Sequence, residues 1–528
     1  MTQPVETHLD ELHDPTDPYD VIVVGYGPVG RMLALKLGGQ GHRVLVVERQ
    51  NLTYPLPRAV HMDDETCRIL QSVGGGPDQI PESIEPYNDF YEWKSADGTP
   101  LLRLDWSGRG PSGWNVSNFF NQPLLEEHLN KQVEQLDTVT ILRGWRAAEY
   151  AETPDAVTVS IATASGLQRE VSGRYVVGAD GANSIVRSWI GATMSDLGYF
   201  HDWLVVDLIP HTPMKVEPPA WQLCDPARPT TLVPAGPGRR RFEFMRLPDE
   251  SVETLAETAT TWQLLEPWGV TPDSAELERQ AVYTFQAKWA DAWKAGRLLI
   301  AGDSAHLMPP FAGQGMCSGL RDAVNLAWRL HHVLDGDAGD GLLESYSSER
   351  AEHVRAFIEA SMSLGEIICV TDPTEAATRD VAMSAAVRSG DQPPPRPLPR
   401  LGAGFYRGTH PADGTLFIQA PVNGERGDGL FDDVTAGGAT LLLRDTAIEV
   451  SPATLQSLSR LGVQVVALAG TAAPGAVVDS TGSYAAWFAE ADAAAVLTRP
   501  DFYVFGVATG PGDVAALAED YVDGIRRA

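Results

Sequence analysis

Three short stretches of this 528-residue chain set glycine, in two of them beside an acid, where an apolar run ends: GYGPVG at 25–30, ADGANSIVR at 179–187 and AGDSAHLMPPFAGQG at 301–315. In the first, Gly25, Gly27 and Gly30 have the GxGxxG spacing that permits a tight turn, close approach of backbone to a pyrophosphate and close packing of the following helix. Glu48 ends the next apolar run, placed to accept hydrogen bonds from an adenosine ribose, which predicts FAD or NAD over a 2′-phosphorylated cofactor. In the second stretch, Asp180 and Gly181 follow an apolar run and Arg187 comes six to seven residues on, a pattern that an ordinary helix cap also produces. In the third, Gly302 and Asp303 follow a strand, so the carboxylate can accept from polyol hydroxyls. Pro309 and Pro310 fix the backbone beside a flat ring, and Gly313, Gln314 and Gly315 offer N–H groups at a helix start for negative charge on a ring carbonyl, as a reduced flavin requires.

These turns need strands to hold them. DVIVVG, HRVLVVER, RYVVGAD and RLLIAGD are short β-branched runs, the first two separated by a helical segment, and WLVVDLIP, TTLVPAG and RRRFEFMRLP between them read as sheet with little helix. The reading is an α/β chain: a flexible leader at 1–18, a Rossmann-like cofactor domain at 19–197 and 286–390, and a sheet-rich substrate domain interrupting it at 198–285. DQPPPRPLPR, at 391–400, is an extended linker, and 401–528 is a further α/β module.

Composition narrows the rest. No run approaches the roughly 18 apolar residues of a membrane span, mean hydropathy is −0.14, and the acidic N-terminus lacks the features of a secretory signal. A net charge of −30 disfavours nucleic acid and requires a local basic pocket for any anionic substrate. Four cysteines without a CxxC pair argue against a disulfide scaffold, a metal site or a dithiol centre, and fit a reducing cytoplasm.

Taken together and in order, the three motifs resemble the fingerprints of the single-component FAD-dependent aromatic hydroxylases, the group that includes 4-hydroxybenzoate hydroxylase. YPLPRAVHMDDET, NFFNQPLLEEHL, WLVVDLIP, CDPARP and RRFEFM are more narrowly similar to 3-(3-hydroxyphenyl)propionate hydroxylases. The resemblance covers residues 19 to 400. It implies that Gly25, Gly27 and Gly30 hold the FAD pyrophosphate, Glu48 the ribose and Asp303 the ribitol. It also implies that Arg58 and Gln122 approach FAD, that Asp180 and Gly181 touch FAD and pyridine nucleotide, and that Pro310 and residues 313–315 line the isoalloxazine. Cys317 stands where relatives often carry Asn and receives no contact.

The implied reaction is reduction of FAD by NADH or NADPH, which docks transiently because no second dinucleotide domain is visible, then formation with O2 of a flavin C4a-hydroperoxide that hydroxylates a small phenolic substrate. Candidates for the phenol's base are His61, His201 and Tyr283. Arg228, Arg240 and Arg241 could recognise a carboxylate, and His306 supports the flavin loop by packing and hydrogen bonding. Residues 401–528 resemble the thioredoxin-like appendage of longer relatives; with no cysteine, the module is expected to serve folding or subunit contact, as in a homodimer. The alternatives are an oxygenase that tailors an aromatic polyketide or inactivates an antibiotic, and a non-catalytic flavin-binding protein.

Overall fold

A computed structural model describes residues 17–391, 393 and 395–528; all but the last two residues of the expected leader lie outside them. The elements that build the site are, in chain order, β1 (Tyr19–Val24), α1 (Pro28–Gly39), β2 (Val44–Glu48), β3 (Gln168–Gly178), α2 (Ile185–Ile190), β4 (Met194–Pro210), β5 (Thr230–Pro234), β6 (Arg240–Met245), β7 (Ala275–Ala290), β8 (Leu298–Ile300), α3 (Gly315–Leu334) and α4 (Gly341–Ile368).

β8, β3, β1 and β2 are consecutive parallel neighbours, continued by Val139–Arg143. Their apolar runs are unbroken because a parallel sheet is covered on both faces, and Val21, Ile22, Val23, Leu45, Val46, Val176 and Leu299 have no exposed surface. Val24, Gly178 and Ile300 stand in one row. Three motifs separated by more than a hundred residues therefore leave the same carboxyl edge side by side, where open α/β sheets bind their ligands.

The second sheet is mainly antiparallel and runs His306–Leu307, β7, β4, β6, β5, Ala220–Cys224, Phe90–Ser95 and Pro100–Asp105. It draws in strands from outside 198–285. Phe90–Ser95 joins through a parallel pairing with Ala220–Cys224, a long-range pairing that local periodicity does not encode. Alternation sorts its faces. Leu204, Val206, Leu232, Phe242 and Phe244 build one apolar core; the intervening Val205, Asp207, Thr231, Arg241 and Glu243 point the other way, toward the first sheet's carboxyl edge.

The C-terminal domain is a seven-stranded mixed sheet flanked by Pro452–Arg460, Ser483–Glu490 and Val514–Arg527. Polar contacts fasten it to the rest. Arg68 donates to both Asp432 oxygens (2.7 and 3.0 Å) and to the Phe417 carbonyl, and Arg499 donates to Glu349 at 2.9 Å. Asp501 accepts from Asn325 at 2.8 Å and Trp328 at 3.1 Å. Within 391–400 the described residues form neither helix nor strand, and Arg396 ties this stretch to Asp64 at 2.6 Å. All four cysteines are free, and among the described residues no helix is long and apolar enough to cross a membrane.

Candidate active site

The turn after β1 is closed by necessity. A Cβ on Gly25, whose φ is +102°, would lie 2.3 Å from the Ala179 carbonyl oxygen, and one on Gly30 would lie 2.1 Å from the Gly25 oxygen. Gly27 has no protein atom within 4 Å of that position; it faces open space at the start of α1, whose first N–H groups receive no side-chain cap. Glu48 accepts from the backbone N–H of Tyr26 at 2.8 Å and of Gln50 at 2.7 Å, which pins the turn to the end of β2 and leaves further acceptor positions on a half-buried carboxylate.

The second and third motifs are joined. Asp180 accepts from Ile185 N–H at 2.7 Å, capping α2, and from the hydroxyls of Ser184 and Ser304; Gly181 N–H donates to Ser304 Oγ at 3.1 Å, and Arg187 donates to the Ser304 carbonyl at 3.0 Å. The Asp180 side chain is thus both a helix cap and a bracket for the turn carrying Asp303. Asp303 itself has no hydrogen-bond partner among the described residues. It projects into open space within a site the protein surrounds, and burial raises its pKa against the pull of His306 and Arg58. Asp322, on α3, completes the turn from behind by accepting from Gly302 N–H (3.0 Å), His306 (2.6 Å) and Arg350 (2.9 Å). Burial alone would raise Asp322; His306 and Arg350 pull it below the usual carboxylate range.

A cavity of about 910 Å³ lies between these turns and the second sheet. Gly27, Arg58, Asp180, Gly181, Asp303, Pro310, Gly313 and Gly315 line one side. Gly25, Gly30, Glu48, Gly302 and Gln314 do not line it. The Gln314 side chain is tied to Asp63 and Arg321. Gln122 reaches the cavity while holding the backbone N–H groups of Arg58 (3.2 Å) and Ala59 (2.7 Å), so its amide sets the path of that loop.

Of the three base candidates, His61 lines the cavity with both ring nitrogens engaged, by Ser117 Oγ at 2.9 Å and more loosely by the Gly313 carbonyl at 3.5 Å; burial lowers its pKa to about 4. His201 lies outside the lining, its ring against Tyr199. Tyr283 lines it beneath Arg279, whose guanidinium carbon is 4.7 Å from the ring centre. Arg228 is paired with Glu250, and Arg240 donates to the Arg239 carbonyl; only Arg241 of the three reaches the cavity, held by Asp207 at 2.7 and 2.9 Å.

Sequence reasoning missed Asp207, Glu243 and Arg279. Asp207 sits directly between Arg241 and Arg279 in register across β6, β4 and β7. For Glu243 the signal was the charge at every second position of RRFEFM, Arg241 and Glu243, on a strand whose other face is apolar; Asp207 is a lone acid in the apolar run WLVVDLIP, and Arg279 lies in a strand without such a pattern.

The turns and the cavity together form a dinucleotide site of the flavoprotein kind. An unpartnered carboxylate beside the 310–315 loop suits a polyol, and an open glycine at an uncapped helix start suits a pyrophosphate. Residues 18–361 match the FAD binding domain family, and residues 414–523 match the HcaD C-terminal domain family. The chain is 36% identical over 511 residues, 95% of its length and 94% of the relative's, to a probable NADH-specific resorcinol 4-hydroxylase of Rhodococcus jostii strain RHA1. It is also 36% identical to a 3-(3-hydroxy-phenyl)propionate/3-hydroxycinnamic acid hydroxylase of Mycolicibacterium smegmatis, over 80% of this chain and 76% of that one. In fold it matches the crystal structure of the flavin-dependent monooxygenase PieE in complex with FAD and substrate, with a TM-score of 0.81 and 21% identity over 98% of this chain and 100% of that one. The chain belongs to the FAD-binding family of flavin-dependent aromatic hydroxylases. It is an FAD-dependent monooxygenase that draws its electrons from NADH or NADPH.

Proposed function

We propose that the enzyme hydroxylates a small phenol of the 3-(3-hydroxyphenyl)propionate or resorcinol type with NADH as reductant, in the cavity between the motif turns and the second sheet. The observation that carries this reading is that one cavity is walled on one side by residues of all three motifs and on the other by a sheet with buried polar groups. Its volume is in the range of small-molecule sites. FAD, when bound, supplies the oxygen chemistry, one atom of O2 going to the ring and the other to water. The protein's part is to hold and to exclude. In this reading the N–H groups of α1 hold the pyrophosphate, Asp303 a ribityl hydroxyl, and the backbone of 313–315 the pyrimidine edge. Phe285, Phe311 and Trp203 pack edge-to-face or stacked at 5.7–6.1 Å beside that loop and keep water out. Four free cysteines accord with a reducing cytoplasm.

Purified protein should be yellow and should oxidise NADH faster when a suitable phenol is added, with a diol identified as product. Stoichiometric FAD with no oxygenated product from any phenol tested would remove the reading.

A further inference from the structure

Glu243 stands on β6 in the sheet face that walls the cavity, and no described residue donates a hydrogen bond to its carboxylate. The nearest cation is Arg241, with Nη1 3.8 Å away, and that guanidinium is already committed to Asp207 and to the carbonyls of Pro57 and Arg58. The polar groups beside Glu243 satisfy one another. Thr231, opposite it in register, donates its hydroxyl to Gln222 Oε1 at 2.6 Å, and the Gln222 amide donates to the Tyr91 hydroxyl. In this row the acceptor left without a donor is Glu243.

The row also leads to the flavin loop. Tyr91 packs on Trp106 at 4.4 Å between ring centres, Trp106 stacks on His61 at 4.8 Å, and His61 abuts Gly313 so closely that a Cβ there would lie 2.3 Å from the imidazole. A buried acceptor with no donor, in a cavity with aromatic walls, is satisfied by a ligand that brings an O–H.

We infer that Glu243 is the catalytic base that accepts the phenolic proton of the aromatic substrate. This rests on the function proposed above. The O–H bond breaks, its electron pair stays on the phenol oxygen, and the proton moves to a Glu243 oxygen. The phenolate so formed carries more electron density at the ring carbon to be oxygenated, and the proton passes to solvent when product leaves. The charged and titratable groups facing Glu243 are Arg241 on its own strand, Asp207 on β4, Arg279 on β7 and Tyr91 on the far side of the Gln222 row. Burial raises the Glu243 carboxyl to about 7, with Arg241 and Arg279 opposing and Asp207 reinforcing the rise. An acceptor poised near neutrality is the efficient kind for this transfer.

The test is the pH profile of kcat/KM for a phenol that the wild type hydroxylates. The wild type should rise through about pH 7 to a plateau. Glu243→Gln should keep its FAD, lose that limb and fall by roughly 10²-fold or more, with NADH oxidation persisting and hydroxylated product replaced by peroxide. Glu243→Asp, which retains a carboxyl, should keep a limb at a displaced pH and recover part of the rate. If the Gln variant does not hold FAD, the Asp variant decides. A wild-type limb that neither variant moves, or a Gln variant within threefold of wild type, overturns the assignment. A wild type that yields no diol from any phenol defeats the broader reading instead.

Discussion

Two charged side chains on the cavity wall make separable predictions at the scale of single residues. Asp303 is an acceptor with no donor among the described residues, so Asp303→Ala should fold normally yet bind FAD at least tenfold more weakly, by loss of a charge-assisted hydrogen bond; unchanged affinity by fluorescence titration would show that the ribityl chain lies elsewhere. Glu243 has the opposite bearing on stability. Its carboxyl is raised from 4.5 to about 7 by burial, so the folded state favours the protonated form. That contribution is complete below about pH 4.5 and is lost as pH rises through about 7. Between pH 4 and pH 8 the unfolding midpoint of Glu243→Gln should therefore gain on wild type by the equivalent of about 3 kcal/mol. Arg279 tunes the Glu243 carboxyl. None of its three guanidinium nitrogens has a hydrogen-bond partner among the described residues, and its charge holds Glu243 down. Arg279→Gln should move the kinetic limb upward by about one pH unit; an unmoved limb would show that Arg279 does not act through Glu243.

At the scale of elements, the β1 turn separates glycines that shape the fold from the one that faces open space. Gly30→Ala forces a Cβ onto the Gly25 carbonyl and should give a destabilised, colourless protein. Gly27→Ala meets no protein atom, so its thermal midpoint should stay near wild type while FAD affinity drops. A Gly27→Ala protein that binds FAD normally would place the pyrophosphate away from that turn. The spacing of Gly25, Gly27, Gly30 and Glu48 was legible in the sequence because glycine and strand ends are local signals. So were Asp303 and the prolines after it. What could not be read was which charged residues of the second sheet face the cavity. Arg241 and Arg279 lie on strands separated by β4 and are brought together by register, which depends on pairing over long stretches of chain and not on local pattern. The same limit hid the strand at Phe90–Ser95, whose partner is more than a hundred residues away.

On the scale of the whole molecule, the C-terminal domain is attached through buried charges. Arg499 is fully buried, donates to Glu349 and Asp501, and Glu349 also pairs with Arg329 at 2.7 Å. Paired burial holds the Glu349 carboxyl at about 2, the two arginines overcoming the effect of burial. Arg499→Met would leave Asp501 without a cation and Glu349 with Arg329 alone, and should cost about 3–5 kcal/mol, seen as an earlier urea transition by fluorescence and FAD release. An unchanged transition would show that the appended domain contributes no stability through this network.

The adjacency of β1, β3 and β8 also sets an order of events in time. β1 leaves the ribosome first, its neighbour β3 follows about 150 residues later, and β8 with the Asp303 turn comes more than a hundred residues after that. A nascent chain that has made β1 and β3 has the glycine turn but not the Asp303 turn, and although residues 168–173 of β3 already pair with 157–162, its stretch at 176–178 still has an unpaired outer edge. With Asp303 as the proposed ribityl contact, cofactor capture would be a late event in synthesis. Until then the half-built sheet carries an open apolar edge that can pair wrongly. Recombinant yield should accordingly respond to slower translation or lower temperature more than to added flavin.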